Sequence, residues 1–301
     1  MIKAVNIGKT YDDYIALKSV SMEMKEGQVF GLIGTNGAGK SSLLRIMCGI
    51  NPADEGSLLV DEEEVYDNVA AKSKICFISD NPFFWSGSTP KAIANFYGLI
   101  YPGFAREEFE QYLDNFGLDS NRSINKYSKG MKKQLALLLG LCAKTKYLLL
   151  DETFDGLDPV MRQAAKSLIA KEMEERNLTP IIASHNLREL EDICDTIGLL
   201  HKGGVLLSKD LDEAKCSMQK VQCVFANEAD AKLVRENLEV IKEERRGSLF
   251  VYTIRGERAK THAAFDCLQT IFCEMLPLSL EEIFISETEV VGYDIKKIIL
   301  E

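Results

Sequence analysis

Gly34, Gly39, Lys40 and Ser41 stand in the spacing G-x-x-x-x-G-K-[ST] within VFGLIGTNGAGKSSLLRIMCGI, residues 29–50. These residue types suit an anion carrying several phosphates. Gly34, Gly37 and Gly39 let the backbone approach, and a helix opening at Lys40 aims unpaired N–H groups and the positive end of its dipole at one point. Lys40 would reach the outer phosphates as a point charge, the Ser41 hydroxyl would ligate Mg²⁺, and Ser42 could add a phosphate hydrogen bond. A second group of residues could supply the chemistry. Asp151 and Glu152 end the apolar run that starts at Tyr147; beside a phosphate loop, one strand-end acid can hold the shell of a metal ion and another can position or deprotonate water. His185 follows the apolar run 179–184. Carboxyl ends of parallel strands are where ligands bind, although a histidine at a strand end can also be purely structural. Tyr11 is a candidate stacking platform for an adenine ring, with Tyr14 as its local rival and a plain strand-edge role as the alternative.

Elements that could position these groups are legible around them. Residues 1–30 alternate apolar and polar positions with a turn at Lys25–Gly27, which predicts antiparallel strands leading into the loop. Val29–Ile33 reads as a buried strand, and Leu43, Leu44 and Met47 fall at helical spacing. From Gly56 to Asp80 the pattern is strand-like. Thr89 and Pro90 suit the N-cap and first position of a helix to about Tyr101, and Phe109, Tyr112, Leu113 and Phe116 share one face of another. Residues 90–143 thus form a helical insert in an α/β core. Asp158 and Pro159 cap a helix to about Arg176, a buried strand follows at Thr179–Ser184, and a hairpin turns at Gly203–Gly204.

The chain has 301 residues, 46% hydrophobic and 27% charged, which is globular usage for about two domains. A net charge of −10 argues against a phosphate-tracking nucleic-acid surface, so no nucleic acid is expected as partner. Eight cysteines form no C-x-x-C pair and read as reduced, mostly buried thiols of a cytoplasmic protein. The start MIKAVNIGKTY lacks the apolar core of a signal peptide, and the longest apolar run, Leu135–Ala143, is too short to span a bilayer.

Taken together, the residues resemble the ATP-binding cassette (ABC) family, specifically a stand-alone nucleotide-binding subunit of a transporter. The resemblance covers about residues 1–212 and rests on the phosphate loop, on Tyr127-Ser128-Lys129-Gly130-Met131 before a helix, on LLLDE at 148–152, on Gly156-Leu157-Asp158 and on His185. It implies ATP and Mg²⁺ as ligands. It makes Tyr11 the adenine platform and Gly34 to Ser42, including Asn36 and Ala38, the phosphate cradle. It makes Asp151 a member of the metal shell, Glu152 the general base and His185 the contact to the γ-phosphate. Ser128 and Gly130 would serve the nucleotide of a second ATPase domain in a head-to-tail homodimer or heterodimer, and Asp158 would link the two sites. Physically, Ser128–Gly130 opens an apolar helix and so presents another helix N-terminus to an anion. The implied fold is α/β: a P-loop ATPase core with an antiparallel β subdomain and a helical insert at about 90–143, within residues 1–214, plus a small C-terminal α/β accessory domain, 215–301. The implied function is ATP hydrolysis powering a separate polytopic membrane subunit, an exporter by the Y-S-K-G-M signature, with the chain held in the cytoplasm at the inner face of the membrane. The alternative is a soluble, non-transport ABC ATPase acting on ribosomes or DNA.

Three departures from the family pattern stand out. Lys129 and Met131 replace the third and fifth residues of the usual L-S-G-G-Q. Asp80 stands where a glutamine usually senses Mg²⁺ and the membrane partner; its shorter carboxylate could ligate the metal through water. From about Lys215 the chain extends beyond the resemblance, with strand-like runs at 221–225 and 249–254, helical patterns near 228–238 and 257–273, and a capping box at Ser279–Glu282. Phe83, Phe84 and Trp85 are either a groove for the membrane partner or part of the helical insert's core.

Overall fold

The computed structural model describes residues 1–227 and 229–290. Packing divides them into two units, one of 1–186 with 200–205, the other of 187–199 with the described residues from 206 onward.

The first unit is built on two sheets. Strands β1 (Ile2–Tyr11) and β2 (Tyr14–Met24) form the expected antiparallel hairpin, and β4 (Glu55–Val60) and β5 (Glu63–Glu64) extend it in the order β2-β1-β4-β5. Strands β3 (Phe30–Ile33), β8 (Thr179–Ser184), β7 (Tyr147–Asp151) and β6 (Ile75–Ile78) lie side by side in that order, all parallel. Every residue of β3, β7 and β8 is buried, which explains why they read as unbroken apolar runs rather than as alternation. Helix α1 (Lys40–Met47) has only eight residues, too few to persist alone. Its Leu43, Leu44 and Met47 are fully buried in one core with Ile2, Leu17 and Met24 of the antiparallel sheet and Phe30, Leu32, Leu149 and Ile181 of the parallel one. Each such side chain contributes about 1.5–3 kcal/mol when fully buried, so tertiary packing holds α1 in place below the loop.

The stretch 56–80 is not wholly strand: Asn68 caps a short helix, α2 (Val69–Lys72), between β5 and β6. The helical insert comprises α3 (Pro90–Ile100), capped by Thr89, α4 (Arg106–Asn115) and α5 (Lys129–Cys142), capped by Ser128. Ile93, Phe109, Tyr112, Leu113, Leu135 and Leu139 make its core. Phe84 packs onto this core, whereas Phe83 is 83% exposed and Trp85 lies edge-on to Phe96 at 4.7 Å, so the aromatic triplet divides between the two expectations. Helix α6 (Pro159–Arg176) has the predicted ends, with Asn177 in the left-handed conformation as its C-cap.

The second unit contains α7 (Leu187–Glu191), the parts of the hairpin strands β9 (Thr196–His201) and β10 (Gly204–Asp210) that lie outside 200–205, α8 (Leu211–Cys216), β11 (Met218–Phe225), α9 (Asp230–Asn237), β12 (Glu239–Arg246), β13 (Leu249–Arg255), α10 (Arg258–Asp266), β14 (Thr270–Leu276) and α11 (Leu280–Val290). It thus begins earlier than the expected division at 214/215. The antiparallel sheet runs β12-β13-β11-β14, with Val221, Cys223, Phe250, Tyr252 and Ile254 packed on Ala231 and Val234 of α9 and Phe265 of α10. One reading of this region changes, since the helix expected to reach 273 stops at Asp266 before β14; 239–246, to which the sequence assigned no element, is a strand. The capping box is present in full, with the Ser279 N–H donating to Glu282 Oε2 at 3.0 Å and the Glu282 N–H to Ser279 Oγ at 3.2 Å. Parts of the expected pattern at 228 and of the accessory domain at 291–301 lie outside the described residues. Among the described residues no helix is long and apolar enough to cross a membrane.

Candidate functional site

The loop between β3 and α1 borders a cavity of about 290 Å³ lined by Tyr14, Ala16, Thr35 to Ser42, Asp80 and Glu152. Local sequence dictates the loop's shape. Gly39 is the residue before α1 and has φ +106°; a Cβ there would stand 2.6 Å from the Ala16 carbonyl oxygen. The Ala38 N–H donates to Thr35 O and the Ala38 carbonyl accepts from the Gly203 N–H, which closes the turn from both sides. Lys40 is buried, and its Nζ donates to Gly34 O at 2.7 Å and lies 3.3 Å from Glu152 Oε1.

The acids arrive from the parallel sheet. Asp151 is the last residue of β7, buried and hydrogen-bonded to Ser41; burial pushes its carboxyl up, the Ser41 bond opposes this, and the charge of Glu152 adds to the rise. Its Oδ1 is buried with no hydrogen-bond partner. An orphaned carboxylate oxygen beside a hydroxyl and Asp80 is the donor set of a hard divalent cation, so the residues present fit Mg²⁺. Glu152 is left-handed at φ 47°, with its N–H on the Ala183 carbonyl at 2.9 Å. Its Oε2 lies 2.8 Å from His185 Nδ1, and Asp155 Oδ2 lies 3.7 Å from the same nitrogen. Burial, reinforced by the Glu152 charge, raises the Asp155 carboxyl as well. Water placed beside this group would meet a carboxylate backed by an imidazole.

The structure therefore brings Gly34 through Ser42, Asp80, Asp151, Glu152 and His185 together. Other expected residues stand apart. Tyr11 does not line the cavity; its hydroxyl accepts from Asn51 Nδ2 at 2.8 Å and the Lys9 ammonium lies 5.5 Å from its ring centre. Tyr14 lines it and donates its hydroxyl to Gly37 O at 2.9 Å. Ser128, Gly130 and Asp158 are also outside the cavity lining. Ser128 Oγ accepts from the Met131 N–H, Asp158 Oδ1 accepts from Val160 and Met161, and Gly130 packs so closely on Gly156 O that a Cβ would sit 3.0 Å from it. Asp80 lines the cavity, but its Oδ1 is bound by Lys133 at 2.8 Å, a partner not foreseen. The signal for Lys133 was present: it shares the buried face of α5 with Leu137 and Leu141, four and eight residues on, where a charge has no place unless paired. Nothing in the sequence marks Asp155, because a loop acid near a glycine is otherwise unremarkable.

Residues 17–155 match the model of the ABC transporter family. Over 287 residues the chain is 30% identical to the ABC transporter ATP-binding protein YtrB of Bacillus subtilis (strain 168), covering 95% of this chain and 98% of that one. It is 26% identical to the bacitracin transport ATP-binding protein BcrA of Bacillus licheniformis, over 95% and 96% of the two chains. The fold is that of the ATP-binding cassette MJ0796, solved as a dimer in a post-hydrolysis state with ADP and Pi, at a TM-score of 0.64 and 23% identity over 70% of this chain and 99% of that one. A strand, phosphate loop and helix backed by paired strand-end acids, together with a relative matched along nearly its whole length, make this chain a member of the ABC transporter family, an ATP-binding subunit with ATPase activity.

Proposed function

We propose that the chain works as one of two head-to-tail ATPase domains beneath a separate polytopic membrane subunit, at the inner face of the membrane, and drives export. The observation that carries the hydrolytic reading is the Glu152–His185 pair, 2.8 Å apart at the ends of β7 and β8 and at the wall of the phosphate-loop cavity. The loop N–H groups, Lys40 and the Ser41 and Ser42 hydroxyls bind the phosphates of ATP. Glu152 takes the proton of the attacking water, and His185 orients that carboxylate and faces the γ-phosphate. Ser41, Asp151 and the second oxygen of Asp80, directly or through water, would hold Mg²⁺, which when bound neutralises charge on the phosphate oxygens.

Tyr11 remains the base platform in this reading. It pairs with Tyr14 across the β1–β2 turn, outside the phosphate cavity, where the base of a nucleotide whose phosphates fill the loop has to lie. Ser128 and Gly130, at a helix N-terminus outside the cavity, suit a nucleotide held by another copy, and Asp158 stands next to them in the 156–158 loop; the dimeric MJ0796 cassette supports this arrangement. That cassette matches 70% of this chain over 99% of its own length, which also supports a nucleotide-handling domain of residues 1–214 with 215–301 as an accessory domain. The bacitracin transport named for BcrA supports a bacitracin-like cargo for the membrane partner. The exposed Phe83 is the residue offered to the membrane partner.

The test is steady-state ATP turnover with and without Mg²⁺. Glu152→Gln should keep ATP affinity and lose about 10²–10⁴ in turnover, the share that a positioned general base supplies. Turnover equal to wild type would remove Glu152 from that role.

A further inference from the structure

Lys133 is 1% exposed, yet it carries a charge. Its Nζ donates to Asp80 Oδ1 at 2.8 Å and to the backbone carbonyl of Glu152 at 2.6 Å. Asp80 follows β6 and Glu152 follows β7, so a single ammonium on α5 joins the ends of two adjacent strands at the cavity wall. An interior cation is costly unless it is paired and hydrogen-bonded, and a methionine would fill the same apolar stripe without that cost. What the charge holds is therefore informative. Glu152 has a left-handed backbone, φ 47°, which an L-residue adopts only when its surroundings impose it. Its N–H is fixed by the Ala183 carbonyl, and its carbonyl accepts from Lys133 at 2.6 Å and more weakly from the Asp155 N–H at 3.3 Å, so both polar groups of this backbone position are tied, with Lys133 the shorter bond and the direction of the side chain toward His185 set.

We infer that Lys133 is a positioning residue for the ATPase reaction: it locks the Glu152 backbone in its left-handed conformation while drawing its counter-charge from Asp80. The pair gives a physical reason for an aspartate at position 80, since a glutamine there would leave the buried ammonium without an anion. Lys133 also lies one and a half turns from Ser128, the cap of the same helix, so a displacement of that helix end is passed directly to the backbone of Glu152. The inference rests on the reading of Glu152 as general base.

The experiment uses the full chain with Lys133→Met in the wild-type and Glu152→Gln backgrounds, measuring kcat, KM, ATP affinity and melting temperature. Loss of a partner that orients a reactive group costs about 10- to 100-fold in activity, and that loss is expected in kcat with KM and ATP affinity little changed. In the Glu152→Gln background the same substitution should add almost nothing, because the group it positions is already disabled. Unchanged kcat in folded Lys133→Met, a loss confined to KM, or a full repeat of the loss in the Glu152→Gln background each overturns the inference. If loss of the ammonium prevents Lys133→Met from folding, Lys133→Gln takes its place with the half-exposed Asp80 left intact: the amide is too short to reach both acceptors, so kcat should fall, and an unchanged kcat overturns the inference. Wild-type turnover in Glu152→Gln alone sinks the general-base reading, which separates the two failures.

Discussion

Each unit contains a cavity of similar size, about 290 Å³ at the phosphate loop and about 220 Å³ between the β11–β13 face and α11. Volume does not tell them apart; the state of their polar groups does. In the second, Lys220 pairs with Glu282 at 2.5 Å, Lys242 with Glu244 at 2.9 Å and Arg246 with Glu244 at 3.3 Å, so the charges close on one another. At the first, a buried oxygen of Asp151 has no partner, Glu152 is left-handed and Gly39 holds a conformation closed to other residues. Unsatisfied and strained groups persist only where surrounding packing outweighs their cost, and here they converge on the place where phosphates and a metal would satisfy them. The second cavity has no such deficit, and we assign it a structural part.

The sharpest way to break this contrast is to place a methyl group at one glycine in each unit. Gly39 and Gly247 both have positive φ, +106° and +65°, but a Cβ on Gly39 would meet Ala16 O at 2.6 Å and Leu17 Cδ2 at 2.7 Å, whereas Gly247 faces open space. Gly39→Ala should abolish measurable ATP binding and destabilise the fold by about 1–3 kcal/mol or more from backbone strain plus the clash. Gly247→Ala should cost only about 1–2 kcal/mol, from strain at the β12–β13 turn, with ATP affinity unchanged. Calorimetric melting and equilibrium ATP binding decide it. If Gly39→Ala still binds ATP as wild type does, the strain at the loop has no bearing on function.

That loop was fully legible in the sequence, because spacing and chemistry coincide there, and so were α6 and β8, whose boundaries are set by Asp158-Pro159, Asn177 and an unbroken apolar run. What escaped was decided by neighbours. The strand β12, EVIKEERR, carries charges on both faces; it is an edge strand whose conformation comes from pairing with β13 and not from its own composition. The apolar run of β14 satisfies either a helix or a strand pattern until β11 pairs with it. Lys133 is one of two adjacent lysines, and only the fold shows that it is the buried one while Lys132 is not. Tyr11 and Tyr14 are equivalent in type and are register partners, so which of them touches the loop depends on how the hairpin lies against it.

The two tyrosines sharpen the contrast inside the first unit with a smaller effect. Tyr11 is committed to Asn51 and Lys9 on one side and is 36% exposed, while Tyr14 is tied to the loop through Gly37. If Tyr11 stacks on the base, Tyr11→Ala should cost about 1–3 kcal/mol of ATP affinity and leave the affinity for inorganic tripolyphosphate unchanged. Tyr14→Phe removes a hydrogen bond that shapes the loop, so it should weaken both ligands alike, by about 0.5–1.5 kcal/mol. Competition binding with the two ligands reads the difference. Equal losses for ATP and tripolyphosphate in Tyr11→Ala would take the base away from Tyr11.

The smallest effect belongs to the satisfied cavity. Burial alone would raise the Glu282 carboxyl, but the hydrogen bond from Lys220, with further help from the Ser279 N–H and hydroxyl, outweighs it and holds the group below the usual carboxylate range. A carboxyl whose pKa is lowered on folding contributes stability that is complete above its unfolded pKa of about 4.3 and is lost as pH falls through the lowered value. At pH 7 the contribution is therefore present in full, and below about pH 4 it disappears. Both side chains are partly exposed, 25% and 35%, so solvent screens the pair and its worth is about 0.2–1 kcal/mol. Lys220→Met should lower stability at pH 7 by that amount and flatten the acid limb of the stability profile, with no change in ATP turnover. Chemical denaturation at several pH values, followed by far-ultraviolet circular dichroism, measures it. A loss of ATPase activity in this variant would show that the second cavity is not merely structural, and the distinction drawn between the two cavities would fail on the side where it predicts nothing.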